Sequence, residues 1–307
     1  RHRLSGTIEY YNKYSVDLLA AINGSPTQGF GYTTLMTNNG KMVNRGVEIT
    51  LSGEIIRQKD FSWNASLLYA FNRNKVKHIS VQPSLWDSRI SMPTSYPMVG
   101  KPLYGIYAYK WAGLNENGDP QVYDAENNVT SGPARDYHAL VYCGTTVPIH
   151  NASLTNVLRY KGFEFSAMLI LDAGHKLRSS NIPSINMSNG RITSTAKGIV
   201  DRWTQPGDVT DVPRLLFSND TENFNTHRTE LYRYSDLFVY DASNIRLSNI
   251  SLAYRVPAHW CKKISLSGAR LQFNVENVAT VAFDSKANYD LGGKVKPNYV
   301  WGLYLNF

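Results

Sequence analysis

Two closely spaced carboxylates are the first residues in this 307-residue sequence that could do chemistry. Asp208 and Asp211 lie on either side of a turn, and such a pair could serve glycoside hydrolysis or bind calcium. The same stretch reads Pro-Gly-Asp and is followed by Val212 and Pro213, a pattern that is typical of loops. We therefore interpret the two aspartates as turn residues.

The usual signatures of enzymes are missing from the sequence. It contains no HExxH, GxSxG or GxxxxGK(S/T) motif and no GxGxxG at the start of a helix, so the common arrangements for metal, acyl and phosphate chemistry are not present. The seven histidines are dispersed, and the two cysteines form no CxxC pair. We predict a protein that is not an enzyme and uses no metal or cofactor.

Aromatic residues in polar segments are the other candidates for binding. Trp86, Tyr96, Tyr232 and Tyr234 could stack on a sugar or a peptide, because an aromatic ring offers an apolar face beside polar groups. Packing within the loops, or contact with a partner protein, is the alternative use of these rings. These four are the candidate substrate-binding residues.

Alternating residue types predict that β-strands position these segments. Apolar and polar side chains alternate from Val47 to Ile55, and after a short polar turn they alternate again from Phe61 to Phe71. The aromatic residues near the ends of this second strand are typical of the girdles of membrane barrels. Further strands are predicted at 103–113, 121–124, 152–160, 163–171, 245–254, 264–275 and 299–307.

The connections between these strands alternate between short and long. Long polar segments lie at 21–43, 75–100, 125–147, 175–240 and 279–297. Compact domains rarely contain loops beyond about 15 residues, whereas outer-membrane barrels combine short periplasmic turns with long extracellular loops. We predict an all-β fold, an antiparallel transmembrane β-barrel segment that supplies about ten strands of a larger barrel. The alternative is a soluble β-sandwich that acts as a carbohydrate-binding module.

The net charge of +8 raises the question of an anionic partner. The basic residues are scattered singly, and the nearest thing to a cluster is Arg73, Lys75, Lys77 and His78. This cluster lacks the pattern of a recognition helix, so we expect a solvated loop there and no nucleic-acid partner. The longest strictly apolar runs, 18–22 and 167–171, are far shorter than the roughly 20 residues of a membrane-spanning helix.

Several short motifs follow one another along nearly the whole chain. They are Asn44-Arg45-Gly46-Val47-Glu48, Gly100-Lys101-Pro102, Gly118-Asp119-Pro120, Tyr160-Lys161-Gly162-Phe163, Arg202-Trp203-Thr204, Pro206-Gly207-Asp208, Val212-Pro213-Arg214, Asp241-Ala242-Ser243-Asn244 and Trp301-Gly302-Leu303. In this order they resemble the C-terminal barrel region of the SusC/RagA-type TonB-dependent outer-membrane transporters.

The resemblance implies that residues 1–307 are the C-terminal portion of a TonB-dependent receptor barrel of about 22 strands, without its plug domain and N-terminal extension. It implies import of a nutrient, a glycan or an oligopeptide, across the bacterial outer membrane. The implied partners are a SusD-type surface lipoprotein, the TonB complex through the missing N-terminal region, and outer-membrane lipid. Because the sequence opens at Arg1 without an initiator Met or an apolar signal segment, we expect a mature piece or a fragment.

The two cysteines test the orientation of the strands. Cys143 falls in a long segment that we expect to be extracellular, and Cys261 falls in a short turn that we expect to be periplasmic. A hydrocarbon layer about 30 Å thick would separate them. We therefore predict that they form no disulfide.

The last predicted strand carries a continuous apolar face. In outer-membrane barrels, an amphipathic C-terminal strand with a terminal aromatic residue resembles the signal for assembly. The alternative is an ordinary edge strand. The residues of this candidate assembly strand are Tyr299, Trp301, Leu303, Leu305 and Phe307.

Overall fold

A computed structural model describes residues 3–23, 27, 29, 34–81, 88–132, 134, 136–187, 196–217, 226–291 and 296–307. The strands are Leu4–Asn23 (β1), Thr34–Arg57 (β2), Phe61–His78 (β3), Gly105–Tyr109 (β4), Trp111–Leu114 (β5), Pro120–Tyr123 (β6), Val129–Thr130 (β7), Leu140–Thr145 (β8), His150–Tyr160 (β9), Phe163–Ala173 (β10), Lys176–Arg178 (β11), Asn186–Met187 (β12), Leu216–Phe217 (β13), Val239–Asp241 (β14), Asn244–Arg255 (β15), Gly268–Ala282 (β16) and Asn298–Asn306 (β17).

Helices are few and short. The α-helices are Ser88–Ser91 (α1), Thr226–Arg233 (α2), Ala258–Lys262 (α3) and Asn288–Leu291 (α4), and single 3₁₀ turns lie at Tyr137–Ala139, Lys197–Asp201, Asp236–Phe238 and Ser285–Ala287. Within the described ranges, none of the helices has the length and apolar character needed to cross a membrane.

One antiparallel sheet of eight strands dominates the structure, in the order β1-β2-β3-β9-β10-β15-β16-β17. We call it the wall. The strands of the wall follow one another in chain order, so each neighbouring pair is joined either by a short turn or by one of the long segments. The short turns all lie at one end of the sheet and the long segments at the other.

The pairing register gathers apolar side chains onto one face of the wall, because residues directly opposite each other in adjacent strands share a face. One row across the sheet is Leu51, Leu67, Leu154, Leu169, Leu247 and Ala279. A second row is Trp63, Leu158, Phe165, Leu252, Phe273 and Trp301. Many of these side chains are open to the surroundings, with Leu252 46% and Trp301 70% exposed.

The opposite face of the wall is polar. Ser52 and Ser66 are joined by a 2.9 Å hydrogen bond between their hydroxyls. Nearer the short turns, the carboxylate of Glu164 accepts hydrogen bonds from Arg159 at 2.7 Å and from Arg270 at 3.0 Å. An apolar outer face and a polar inner face are typical of the wall of a membrane barrel. The two-sheet β-sandwich considered above is not the fold, because the described apolar face is uncovered by any second sheet.

The tight turn between β9 and β10 requires a glycine. Lys161 has a φ of +52°, and the next residue is Gly162. A Cβ atom at Gly162 would lie 2.9 Å from the carbonyl oxygen of Arg255 in the neighbouring strand. The backbone amide of Lys161 also donates a 2.9 Å hydrogen bond to Asp60 in the β2–β3 turn, so adjacent turns brace each other.

The structure differs from the sequence prediction in strand number and length. The wall has eight strands, because the segments expected at 103–113 and 121–124 lie outside it: β4 pairs with β8, and β5 pairs with β6. All five residues of β4 are buried, whereas a wall strand buries at most one face. The strand expected at 264–275 is β16, and α3 occupies the connection before it.

Strands β2 and β3 extend beyond the limits predicted from the sequence. β2 begins at Thr34 rather than near Val47, because its polar first half pairs with β1 through the backbone, from Thr34 with Asn23 onward. The basic cluster expected in a solvated loop lies in β3 instead, and its residues are Arg73, Lys75, Lys77 and His78. Cys143 is in β8 at the long-segment end, Cys261 is in α3 at the short-turn end, and both thiols are free.

Candidate functional site

The long segments fold together into one compact unit at their end of the wall. We call this unit, which consists of the described residues within 88–149 and 174–243, the loop module. Tyr107 and Tyr109 of β4 pack with Val122, Leu140 and Leu231 in its main core. A second core contains Ile185, Tyr232 and Phe238. These segments are therefore structured and not extended loops.

A buried ion cluster joins distant parts of the loop module. The carboxylate of Asp119 accepts hydrogen bonds from Arg214 at 2.8 and 3.0 Å and from Arg228 at 3.1 Å. Arg228 also donates to the carbonyl oxygens of Ile185 and Arg214, and its side chain is only 3% exposed. Burial lowers the pKa of Arg228, and the charge of Asp119 opposes that shift. The cluster thus unites two of the sequence motifs, Gly118-Asp119-Pro120 and Val212-Pro213-Arg214.

Gly118 shows how closely these motifs approach. It has a φ of +74°, and a Cβ atom there would overlap the Trp203 ring. The carbonyl oxygen of Gly118 accepts a 3.0 Å hydrogen bond from the backbone amide of Arg214. Only glycine can take this conformation and leave room for the indole.

The two aspartates with which the sequence analysis began have structural partners. Asp208 accepts hydrogen bonds from the amide and hydroxyl of Thr204, both at 2.8 Å, and from the amide of Gln205. These bonds lower the pKa of Asp208. Asp211 accepts a 2.9 Å hydrogen bond from the indole of Trp111. Asp208 therefore holds its turn in place, as the turn interpretation predicts, whereas Asp211 connects its segment to Trp111 of β5.

Arg178 ties β11 to two other elements of the loop module. It donates hydrogen bonds to the carbonyl oxygens of Tyr107 at 2.7 Å, Ser235 at 3.2 Å and Arg233 at 3.3 Å. Burial lowers the pKa of its guanidinium. In addition, Asp290 of α4 accepts hydrogen bonds from the Ser179 and Ser180 hydroxyls at 2.7 and 2.6 Å, so a third long segment is attached to the module.

The structure separates the four candidate binding aromatics. Trp86 lies outside the described residues. Tyr232 is 1% exposed in the second core, where its ring meets Phe238 edge-on at 4.9 Å, so it does not offer a face to a ligand. Tyr96 and Tyr234 are half-buried at the surface, and the guanidinium groups of Arg178 and Arg233 lie 5.6 and 5.9 Å from the ring centre of Tyr234.

The candidate assembly strand is β17, which pairs with β16 along its whole length. Trp301 contacts Phe273 with ring centres 4.2 Å apart, and Tyr299 stacks on the same phenyl ring at 6.4 Å. Leu303 and Leu305 continue this apolar face opposite Leu271 and Ala269. Phe307 follows the strand and is 92% exposed.

Sequence reasoning missed Arg228 and Arg178, which organise the loop module. An arginine in a polar segment carries no sequence signal of burial, since it is ordinarily an exposed residue. Among the described residues, no group of three or more His, Cys, Asp or Glu side chains could hold a metal ion.

The wall and the loop module together define a class: an outer-membrane β-barrel wall with folded segments at one end. The curated relatives that the chain matches are named as TonB-dependent receptors. The chain is 24% identical, over 98% of its length, to a TonB-dependent receptor of Formosa agariphila, and 26% identical over 87% to a second receptor of that organism. It is 23% identical over 90% to the TonB-dependent receptor SusC of Bacteroides thetaiotaomicron. No family model matches the chain.

A solved structure agrees with these relatives. The RagAB peptide transporter matches with a TM-score of 0.74 over 99% of this chain and 34% of that chain, at 22% identity. The resemblance to SusC/RagA-type TonB-dependent receptors is therefore confirmed, and with it the barrel fold and the location in the bacterial outer membrane. The chain spans less than a third of the length of the curated relatives it matches.

Proposed function

We propose that these 307 residues are the C-terminal part of a TonB-dependent importer and that the complete receptor takes up an oligomeric nutrient, a glycan or an oligopeptide. The observation that carries the proposal is the two-faced wall. Its apolar rows face outward over seven of the eight strands, and the polar face would line the interior of a larger barrel. The plug domain and the TonB contact would come from chain outside this sequence.

The loop module supplies the extracellular surface of the proposed importer. Its two cores and the Asp119 cluster hold a fixed outer surface, on which Tyr96 and Tyr234 are the candidate cargo contacts. A SusD-type surface lipoprotein is the proposed partner, and it would cover this module from outside. The proposed receptor is not an enzyme, in agreement with relatives that are receptors and transporters.

Uptake by cells tests the proposal. The gene for the complete receptor is deleted in its host and restored on a plasmid, and uptake of fluorescent oligopeptides and fluorescent oligosaccharides is measured. We expect loss of uptake of one of the two cargo classes on deletion, recovery on complementation, and the same loss in a strain without TonB. Equal uptake of both classes with and without the receptor would contradict the proposal.

The variants Tyr96→Ala and Tyr234→Ala test the cargo contacts, with Tyr232→Phe as the matched control because that ring is buried. Loss of stacking between a tyrosine and one ring of the cargo corresponds to about 1 kcal/mol. We expect either surface variant to weaken cargo binding several-fold. Unchanged binding in both would remove these tyrosines from the cargo site.

A further inference from the structure

A cavity of about 510 Å³ lies where β2 and β3 leave the apolar part of the wall. Its lining contains five basic side chains and no acidic one, together with Phe71 and Tyr142. We call it the cation pocket. The five basic residues are Arg45, Arg73, Lys75, Lys77 and Lys101.

The cation pocket is on the outward face of the wall. Side chains alternate along a strand, so Arg73 and Lys75 project from the same face as Leu67 and Phe71. In the register, Arg45 pairs with Arg73, and Val43 pairs with Lys75. The pocket is therefore separated by the thickness of the wall from the polar face, which the cargo would follow.

The pocket begins where the apolar band ends. The stretch from Phe61 to Phe71 rises about 33 Å along β3, and a strand tilt of about 40° turns this into a height of about 25 Å, the height of the apolar band of such barrels. An aromatic cluster marks the upper end: Tyr69 forms a 2.8 Å hydrogen bond with His150, whose ring lies 5.3 Å from that of Phe71. Arg73 and Lys75 follow directly on the long-segment side.

The charges in the pocket have no anion among the described residues. No ion pair in the described part of the chain involves any of the five cations. Arg45 donates a 3.0 Å hydrogen bond to the neutral side chain of Asn12, and the ammonium group of Lys101 lies 4.9 Å from the ring centre of Tyr142. Like charges gathered in this way repel one another, so binding of an anion would relieve the repulsion.

Backbone hydrogen bonds hold the pocket in shape. The amide of Gly100 donates to Val76 at 2.8 Å, and the amide of Val76 donates to Lys101 at 2.9 Å. The amide of Leu103 donates to the side chain of Asn74 at 2.8 Å. The motif Gly100-Lys101-Pro102 therefore pairs with the part of β3 near Val76. This pairing places Lys101 beside the other basic residues of the pocket.

We propose that the cation pocket binds the phosphate groups of a lipid headgroup in the outer leaflet of the outer membrane. Headgroup phosphates lie just beyond the hydrocarbon, at the height that the pocket occupies. Clusters of Lys and Arg at a membrane surface attract anionic headgroups, and arginine matches the geometry of phosphate oxygens. A pocket of this kind would hold an anchored lipid against the wall without touching the import path.

The test compares the complete receptor with the double variant Arg73→Gln/Lys75→Gln. The matched control is Lys262→Gln/Lys263→Gln, which removes the same charge from the exposed short connection at the opposite end. Purified receptors are titrated with phosphatidylcholine vesicles that contain diphosphorylated lipid A, or lipid A from which both phosphates have been removed. Heat-modifiable gel mobility verifies that each variant is folded.

We expect the pocket variant to bind vesicles with diphosphorylated lipid A at least tenfold more weakly than the wild type, and the control variant to bind as the wild type does. Equal binding by the pocket variant and the wild type, or equal binding of phosphorylated and dephosphorylated lipid A, would overturn the proposal. Titration with inorganic phosphate separates the two sources of phosphate: pocket-dependent binding of free phosphate as tight as that of the lipid would also overturn it. Cargo uptake by the folded pocket variant should be unchanged, so this result is independent of the importer proposal.

Discussion

The indole nitrogen of Trp63 donates a 3.0 Å hydrogen bond to the side-chain oxygen of Asn156 on the outward face of the wall. Asn156 interrupts an otherwise apolar row, opposite Ala65 and Ala167. A polar group that faces hydrocarbon has no water to bind and is costly unless it finds a partner. The indole supplies that partner for the side-chain oxygen of Asn156, so this acceptor on the apolar face is satisfied within the sheet.

Removing the hydrogen-bond donor, the Trp63 indole, should destabilise the barrel. Trp63→Phe leaves the Asn156 side chain unpaired, and we expect a loss of about 1–3 kcal/mol in urea unfolding of the complete receptor in lipid vesicles. Adding Asn156→Leu should recover much of that loss, because both polar partners are then gone. Trp301→Phe removes an indole from the same face and is the control. A loss as large in the control would show that the hydrogen bond is not the cause.

Arginine substitutions should distinguish the two faces of the wall. Leu67→Arg or Leu51→Arg places a charge in the outward apolar rows, and we expect a cost of about 2–4 kcal/mol near the middle of the bilayer. Thr50→Arg, on the polar face of the same region, should cost much less. Folding into vesicles with increasing urea measures both. Equal costs on the two faces would contradict the assignment of the outward face to lipid.

The Asp119 cluster should control the loop module and not the wall. Asp119→Ala removes the carboxylate that accepts hydrogen bonds from both Arg214 and Arg228, and removing one partner of a buried ion pair typically costs about 3–5 kcal/mol. We expect faster hydrogen exchange in α2 and β6, with unchanged heat-modifiable mobility of the barrel. Asp136→Ala, which removes an exposed pair with His138, is the control. Unchanged exchange in α2 of the Asp119 variant would show that the cluster does not hold the module together.

Cys143 should be a slow nucleophile at neutral pH. Burial, and next the nearby charge of Asp236, raise the pKa of its thiol to about 11. Because only the thiolate reacts, we expect alkylation by iodoacetamide in a Cys261→Ser background to speed up about tenfold per pH unit between pH 8 and pH 10. Mass spectrometry follows the reaction. A rate that levels off below pH 9 would refute the raised pKa.

The candidate assembly strand has its own test in the complete receptor. Phe307→Asp is expected to reduce the amount of receptor in the outer membrane far more than the amount synthesised, as immunoblots of membrane and total fractions would show. Phe217→Asp, an exposed phenylalanine of the loop module, is the matched control. Normal membrane levels of the Phe307 variant would leave this residue a packing role only.

The wall could be predicted from the sequence because its information is local. Alternation from Val47 through Phe71 marks two strands that pair as expected, and the Lys161–Gly162 turn marks the next hairpin. A period of two residues is visible wherever one face is apolar and the other polar. The asymmetry of the connections then orients the strands without reference to distant residues.

The loop module could not be predicted in the same way. β4 is buried on both faces, so its pattern does not distinguish a core strand from a wall strand. Arg228 is buried among partners that include the Asp119 carboxylate and the Ile185 carbonyl oxygen, both far away in sequence. Tyr232 looks like a surface aromatic until Ile185 and Phe238 cover it. Contacts of this kind arise from tertiary packing and leave no local signal.

The first part of the loop module lies between β3 and β9, and this placement bears on how the wall is assembled. These strands are neighbours in the sheet, yet the whole stretch between His78 and His150 separates them along the chain. Closing a flexible loop costs entropy that increases by roughly 0.6 kcal/mol with each doubling of its length, and distant pairings form slowly. A module that has already folded brings the two strand ends together beforehand. We therefore expect the outer segments to act as a folding template, with β3 and β9 zipping from the His150 end toward the short turns.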